Sequence, residues 1–503
     1  MHNNESVINK DEVLKMDLKQ LKDFPPNFLW GAGISSFQAE GDWRKNGQGR
    51  SVIEYTRKEK NTTNFEAGVD FYHHYKEDIK LMKEMGLRAF RISISWTRIF
   101  PNGKGKVNRS GVEFYHSVIN QLKENHIEPI VTMYHFDYPQ ALIDEYGGWL
   151  DRRSVIDYKN YASFLFNEFG DQVKYWITIN EQDHVIKMPD RLGMINAGSY
   201  SDTEKEAYIA NHNMCVASAE AFNLCHLLLP KAMIGPALSY QVYYPASDNP
   251  ADVLAADDLS LINQNYLLDL QCRGEYGAVF TKYLVDRGIY PRFPESDLKI
   301  LKQNCPDFIG VNYYSTDDVT YLASNGKFGK TKGLPIPSQE NGVFKKEKNK
   351  VLKSTKWGWA IDSIGLRIAL QRLYRDYNLP ILITENGYSE IEKVSNVDGN
   401  ETINDKDRII YLKKHIQSVH EVISEGIPIL GYCVWTFMDV ISGHSGMNKR
   451  YGLVYVNRED SDLKDMKRIK KRSYFWYQKV IKLSRESSNS SNPLVHQALQ
   501  PKN

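Results

Sequence analysis

The chain has 503 residues, 42% apolar and 25% charged, with a formal net charge of +2. Those proportions belong to a soluble globular protein. The near-neutral balance leaves no global field to recruit nucleic acid or a membrane surface, so any anion site must be local.

Residues 1–23 are a polar N-terminal extension in which Leu14, Leu18 and Leu21 recur at i, i+4 and i+7, the spacing of a short amphipathic helix. The opening MHNNESVINKDEVLKM has no apolar core of a secretory signal. No apolar run approaches the roughly 18 residues of a membrane span. Five cysteines (Cys215, Cys225, Cys272, Cys305 and Cys433), an odd number with no CxxC, fit reduced thiols. A cytoplasmic protein is expected. Length alone suggests about three domains, but no low-complexity linker interrupts residues 24–482, which are expected to form one domain. Residues 483–503 have the composition of a disordered C-terminal tail.

Within that domain, short apolar runs alternate with helical periods. The runs are FLWGAGIS (28–35), AFRISISW (89–96), PIVTMYHF (129–136), YWITIN (175–180), AMIGPAL (232–238), DFIGVNYY (307–314), ILITEN (381–386) and ILGYCVWTF (429–437). They are apolar on both faces, as parallel strands covered by helices should be. Stripes such as Tyr72, Tyr75, Ile79, Met82, then Leu366, Leu370, Leu373, then Ile409, Leu412, Ile416, Val419, Ile423 mark helices between them. Eight strands with intervening helices predict an α/β fold, a single (β/α)8 TIM barrel with elaborated βα loops. A doubly wound sheet has the same local patterns.

In a barrel, chemistry sits at the C-terminal ends of the strands, and six of the runs carry polar groups there or nearby. They are Arg91, His135, Asn180 with Glu181, Asn312 with Tyr314, Glu385 with Asn386, and Trp435 leading to Asp439. Buried strands avoid such groups unless they are paired, because an unpaired one costs a few kcal/mol. WITINE and LITENG each close an apolar strand with a carboxylate. Two such glutamates facing each other across a barrel mouth are the apparatus of glycoside cleavage; each alone is equally the start of a loop. The stretch DVISGHSGMNKRYG (439–452) follows the last strand and contains a serine, a lysine, an arginine and a tyrosine, with no acid after Asp439. It is either a solvated basic turn or a pocket for a doubly charged anion.

Other motifs carry less. GKFGKT (326–331) lacks the first glycine of a phosphate loop, where Ser324 stands. His73 and His74 are adjacent and point to different helix faces, and the chain has neither HExxH nor a zinc-type Cys/His spacing, so no metal is expected. His184, Met188 and Arg191 follow Glu181 and either line the leaving-group side or form a surface loop.

From about residue 24 to 482 the chain resembles glycoside hydrolase family 1, through FPPNFLWGAGISSFQAEG, FRISISWTRIFP, MYHFDYPQAL, WITINE, DFIGVNYY, WGWAIDSIGL, ITENG and GYCVWTFMD in order. The resemblance implies a (β/α)8 barrel and a retaining double displacement with no metal or other cofactor. It places the acid/base at Glu181 and the nucleophile at Glu385, with Arg91 and Tyr314 orienting the latter. Retention calls for the two carboxyls roughly 5–5.5 Å apart, and for a raised pKa on the acid, Glu181. Sugar contacts fall on Gln38, His135, Asn180, Asn312 and Trp435, and Trp359 falls where the family stacks the leaving group.

Several positions depart from the plain β-glucosidases of that family. Gln182 replaces the proline after the acid/base, and Phe136 stands where tryptophan is usual. Plain β-glucosidases read DNFEW after the last strand; the same offset from Asp439 gives Ser442 for the glutamate and Gly443 for the tryptophan. Lys449 and Tyr451 follow at the S-x6-K-x-Y spacing of the 6-phospho branch. The physics agrees. A phosphate monoester carries about −1.5 to −2 charges. A carboxylate about 4 Å away would cost roughly 4 kcal/mol per unit charge at an effective dielectric of 20. A hydroxyl, a lysine and a phenol instead offer charge-assisted bonds worth about 1.5–3 kcal/mol each. Alternation along the chain turns Arg450 away from that pocket. The resemblance therefore implies a 6-phospho-β-glucosidase releasing glucose 6-phosphate from a phosphorylated disaccharide or aryl glucoside. Its rivals are a 6-phospho-β-galactosidase or dual enzyme, a plain β-glucosidase, and a catalytically silent sugar-phosphate binder. Gly443 favours the gluco branch, because the galacto branch places tryptophan there. His444 has no assigned role.

Overall fold

The computed structural model describes residues 24–55, 62–188, 203–291, 293–323, 329–330, 339–397, 399–443 and 445–488. The expected helix around Leu14–Leu21, most of GKFGKT, Arg191 and His444 lie outside them.

Eight parallel strands close into a barrel: β1 (Leu29–Gly33), β2 (Ala89–Ser93), β3 (Glu128–Tyr134), β4 (Tyr175–Asn180), β5 (Met233–Ser239), β6 (Ile309–Asn312), β7 (Ile381–Asn386) and β8 (Ile429–Trp435). Each apolar run contributes one strand, and chain order is ring order, with β8 pairing back onto β1 through Gly33↔Trp435. The doubly wound alternative is thereby excluded. Both strand faces are buried because the interior is filled by side chains and the exterior by helices. Leu29, Ala89, Ile130, Ile177, Leu382 and Cys433 plug the barrel below the site. Gly31 must lack a side chain: a Cβ there would lie 2.8 Å from Cys433 Sγ and 3.2 Å from the Ala89 carbonyl.

The helical stripes fall on Phe71–Met85, Ser363–Tyr377 and Lys406–Ser424. Ser363–Tyr377 begins where Asp362 accepts the Gly365 amide at 2.8 Å and ends at Asn378, whose φ of 52° stops the helix. Its Leu366, Leu370 and Leu373 are buried on one face. His73 and His74 both turn their Nδ1 to Asp70 at the start of their helix.

The last helix, Arg472–Ser488, outruns the predicted end of the domain at 482. Ser484 is buried and accepts a 3.1 Å hydrogen bond from Trp30 Nε1, tying the helix to β1. The helix thus runs past residue 483, where the tail was expected to begin, and the chain is packed as far as Ser484. A five-stranded sheet formed by Val242–Pro245, Thr316–Thr320, Phe344–Glu347, Gln339–Asn341 and Gly329–Lys330 lies among the loops beyond β5 and β6. All five cysteines are free thiols. Among the described residues no helix is long and apolar enough to cross a membrane.

Candidate active site

The two glutamates stand where the strands end, and in both cases the ladder breaks just before them. The β4–β5 register shifts between Ile177 and Asn180, and the β7–β6 register shifts between Ile383 and Glu385. Such irregularities re-aim a side chain that regular alternation would send elsewhere. Glu181 completes the turn with φ 44°, a left-handed conformation sparse outside glycine, and its amide donates to the Ala237 carbonyl at 2.7 Å. Both carboxyls line one cavity of about 480 Å³ at the barrel mouth.

Arg91 organises the floor. Its Nη1 donates to Glu385 Oε1, its Nη2 to Asn180 Oδ1 at 2.6 Å and its Nε to Thr132 Oγ1 at 3.0 Å. Tyr314 donates its hydroxyl to Glu385 Oε2 at 2.6 Å, so each nucleophile-candidate oxygen has one donor. Asn312 donates to Asn180 Oδ1 and to Glu181 Oε1, both at 3.1 Å, and accepts from Thr384 Oγ1 at 2.6 Å. Asn180 in turn faces His135 Nε2 at 3.1 Å. The His135 ring stacks on Trp435 and its buried Nδ1 has no partner among the described residues. Burial, Arg91 and His184 push His135 well below the usual histidine range, so it meets a ligand as neutral imidazole. Gln38 accepts from Ser35 and donates to the Ile441 carbonyl at 2.8 Å, linking the β1 end to the loop after β8.

Burial pushes the Glu385 carboxyl up to about 7; Arg91 and Tyr314 pull it down, and the neighbouring Glu181 charge pushes it further up. Glu385 is the more deeply buried of the two: its side chain is 5% exposed against 13% for Glu181.

The loop after β8 is not a solvated turn. Its residues Ser442, Lys449 and Tyr451 are all buried. Asp439 anchors it, with Oδ1 accepting from the Gly452 amide at 2.9 Å and Lys471 at 2.7 Å and Oδ2 from Arg450 at 3.0 Å. Arg450 pairs backbone to backbone with Glu390, in extended geometry, so its side chain faces Asp439 while Lys449 and Tyr451 face the other way. Ser442, Gly443 and Tyr451 line the cavity, and Trp359 faces them. Lys449 does not line it. Its Nζ lies 3.6 Å from the Trp359 ring centre, 5.0 Å from Trp357 and 5.4 Å from Tyr451. Among the described residues no carboxylate is within ion-pair distance of it, and burial alone pulls its pKa down to about 7. A Cβ on Gly443 would meet nothing within 4 Å, so open space stands where a bulky side chain would project.

His184 and Met188 line the cavity beyond Glu181, settling their place on its wall rather than in a surface loop. Sequence spacing missed Asp183 and Lys187, buried and paired at 2.7 Å, although their i,i+4 separation is that of a helical ion pair. It also missed Asp317 and Lys346, paired across the small sheet at 2.6 Å, since nothing local links residues on separate strands. Among the described residues no group of three His, Cys, Asp or Glu is arranged to hold a metal.

A TIM barrel with two carboxyls at its C-terminal mouth, one held by an arginine and a tyrosine, defines the class of glycoside hydrolases. The model of Glycosyl hydrolase family 1 matches residues 20–486, and the chain belongs to that family. It is 43% identical over 478 residues to the Aryl-phospho-beta-D-glucosidase BglC of Bacillus subtilis (strain 168), covering 93% of this chain and 98% of that protein. It is 35% identical to the 6-phospho-beta-glucosidase AscB of Escherichia coli (strain K12), covering 91% and 98%. Among solved structures, the beta-glucosidase from Thermotoga maritima in complex with glucoimidazole superposes with a TM-score of 0.81 at 32% identity, covering 92% of this chain and 99% of that one.

Proposed function

We propose that the protein is a retaining 6-phospho-β-glucosidase. The barrel does not choose between phosphorylated and plain substrates, since a beta-glucosidase shares it. The observation that carries the reading is Lys449, a buried lysine whose pKa burial pulls down to about 7, with aromatic neighbours and no anionic partner among the described residues, set behind the cavity wall that Ser442 and Tyr451 line. Burial disfavours the charged form of such a lysine, and a ligand that supplies the countercharge restores it. A phosphate on the sugar's carbon 6 supplies it, and the names of the relatives agree. The open space at Gly443 supports glucose over galactose.

In the first step Glu385 attacks the anomeric carbon while Glu181 gives its proton to the leaving oxygen, and the glycosidic bond breaks. Arg91 and Tyr314 hold the attacking carboxylate in place. In the second step Glu181, now a carboxylate, takes a proton from water. That water attacks the same carbon, breaks the ester to Glu385 and releases glucose 6-phosphate. Gln38, His135, Asn180, Asn312 and Trp435 hold the sugar ring, and Trp359 meets the leaving group. A phosphorylated substrate and five free thiols both suit an intracellular enzyme.

Lys449→Met tests the pocket. One lost charge-assisted contact of about 1.5–3 kcal/mol should lower kcat/KM for a 6-phospho-β-glucoside about 10- to 100-fold and leave the plain β-glucoside rate unchanged. Equal loss on both substrates would remove the phosphate role.

A further inference from the structure

Glu181 is addressed by two groups, one on each oxygen. Asn312 donates to Oε1 at 3.1 Å, and His184 Nε2 stands 3.6 Å from Oε2. An anion stands behind the imidazole without a formed hydrogen bond: its Nδ1 lies 3.5 Å from Asp183 Oδ2, and Asp183 is locked by Lys187 at 2.7 Å and by the Ser239 amide at 3.3 Å. Phe136 closes the ring's remaining side at 5.8 Å. His184, Asp183 and Lys187 share one short turn that follows Glu181 directly, so the backbone that places Glu181 also places its neighbour.

We propose that His184 is a positioning residue that stabilises the ionised form of Glu181, the form left once the leaving oxygen has taken its proton and needed again to deprotonate water. This rests on the reading of Glu181 as the acid/base. The charged or titratable groups facing His184 are Glu181 and Asp183, with Lys187 one turn on and His135 across from β3. Burial opposes charge on the imidazole, but Glu181 and Asp183 outweigh it and raise its pKa. Asp183, despite its own burial, is held well below the usual carboxylate range by Lys187 and His184, so it remains the anchor across the working pH range. Asn312, being neutral, orients the carboxyl but adds no charge.

The test is the pH profile of kcat/KM on plain p-nitrophenyl β-glucoside, which lacks the phosphate and so keeps the Lys449 titration out of the profile, for the unaltered enzyme, His184→Gln, His184→Arg and Glu181→Gln. Removing the cation should move the alkaline limb upward by about one pH unit, a tenfold change in proton affinity, and the arginine should return it toward its original place. That return ties the shift to charge rather than packing; equal displacement in both His184 variants would overturn the proposal. If the limb disappears in Glu181→Gln but stays put in His184→Gln, the His184 inference falls and the acid/base assignment stands. If the limb persists in Glu181→Gln, the assignment itself fails and takes the inference with it.

Discussion

Arg91 meets Glu385, Asn180 and Thr132 from one buried guanidinium, and the nucleophile-candidate carboxyl depends on it. Burial raises Glu385 to about 7, and a nucleophile must be ionised. Its ionised fraction falls as pH falls through that value, so kcat/KM should be lost on the acid side with an apparent pKa near 7. A limb near the ordinary carboxylate value would show that Arg91 and Tyr314 outweigh burial. Glu385→Gln should abolish turnover and leave phosphosugar binding nearly intact; surviving activity would contradict the mechanism. That variant also isolates Lys449. With Glu385 gone, the lysine at about 7 is the group set to change charge when phosphate arrives. The ligand favours the protonated form and raises the pKa, so above pH 7 binding should take up protons, approaching one per site. Calorimetry of glucose 6-phosphate binding in buffers of different ionisation enthalpy reads this uptake, which Lys449→Met should remove.

The loop after β8 owes its shape to buried charge. Asp439 joins Arg450 and Lys471, and Lys471 continues to Glu392 and on to Arg408 and Asp405. Removing one member of such a set strands its partners, at a cost of about 3–5 kcal/mol. Asp439→Asn should therefore lower stability by that order in urea unfolding, and a midpoint near that of the unaltered protein would show that the loop holds its shape without the charge. At this scale the sequence was only half legible. Alternation of Lys449, Arg450 and Tyr451 was foreseeable from spacing, because extended chain alternates its side chains. The backbone pairing of Arg450 with Glu390, which turns its side chain to Asp439, and the retreat of Lys449 behind Trp359 depend on residues brought in from the loops after β7 and β6. Likewise ladder irregularities before Glu181 and Glu385 follow from neighbouring strands, not from WITINE or LITENG themselves.

The barrel was legible because its signal repeats eight times: each strand is apolar on both faces, and each helix stripe recurs at the right period. Strand ends such as Asn180–Glu181 and Glu385–Asn386 announced themselves because polar residues there break an apolar run. Groups on short loop elements carried no such contrast. Lys187, Asp317 and Lys346 are ordinary charges in the chain and become cavity groups, with Asp183 buried behind Lys187, only when the loops fold over the mouth. The end of the last helix was missed for the opposite reason: a serine-rich stretch that looks disordered begins with Leu483 packed against the core and Ser484 bonded to Trp30.

The phosphate pocket is the central claim, and kcat/KM for four p-nitrophenyl glycosides tests it most directly: the β-glucoside and the β-galactoside, each with and without a 6-phosphate. The predicted result is a strong preference for the phosphorylated glucoside. A preference for the phosphorylated galactoside would keep Ser442, Lys449 and Tyr451 as the anion site and refute the argument from Gly443. A preference for the plain glucoside would contradict the pocket altogether.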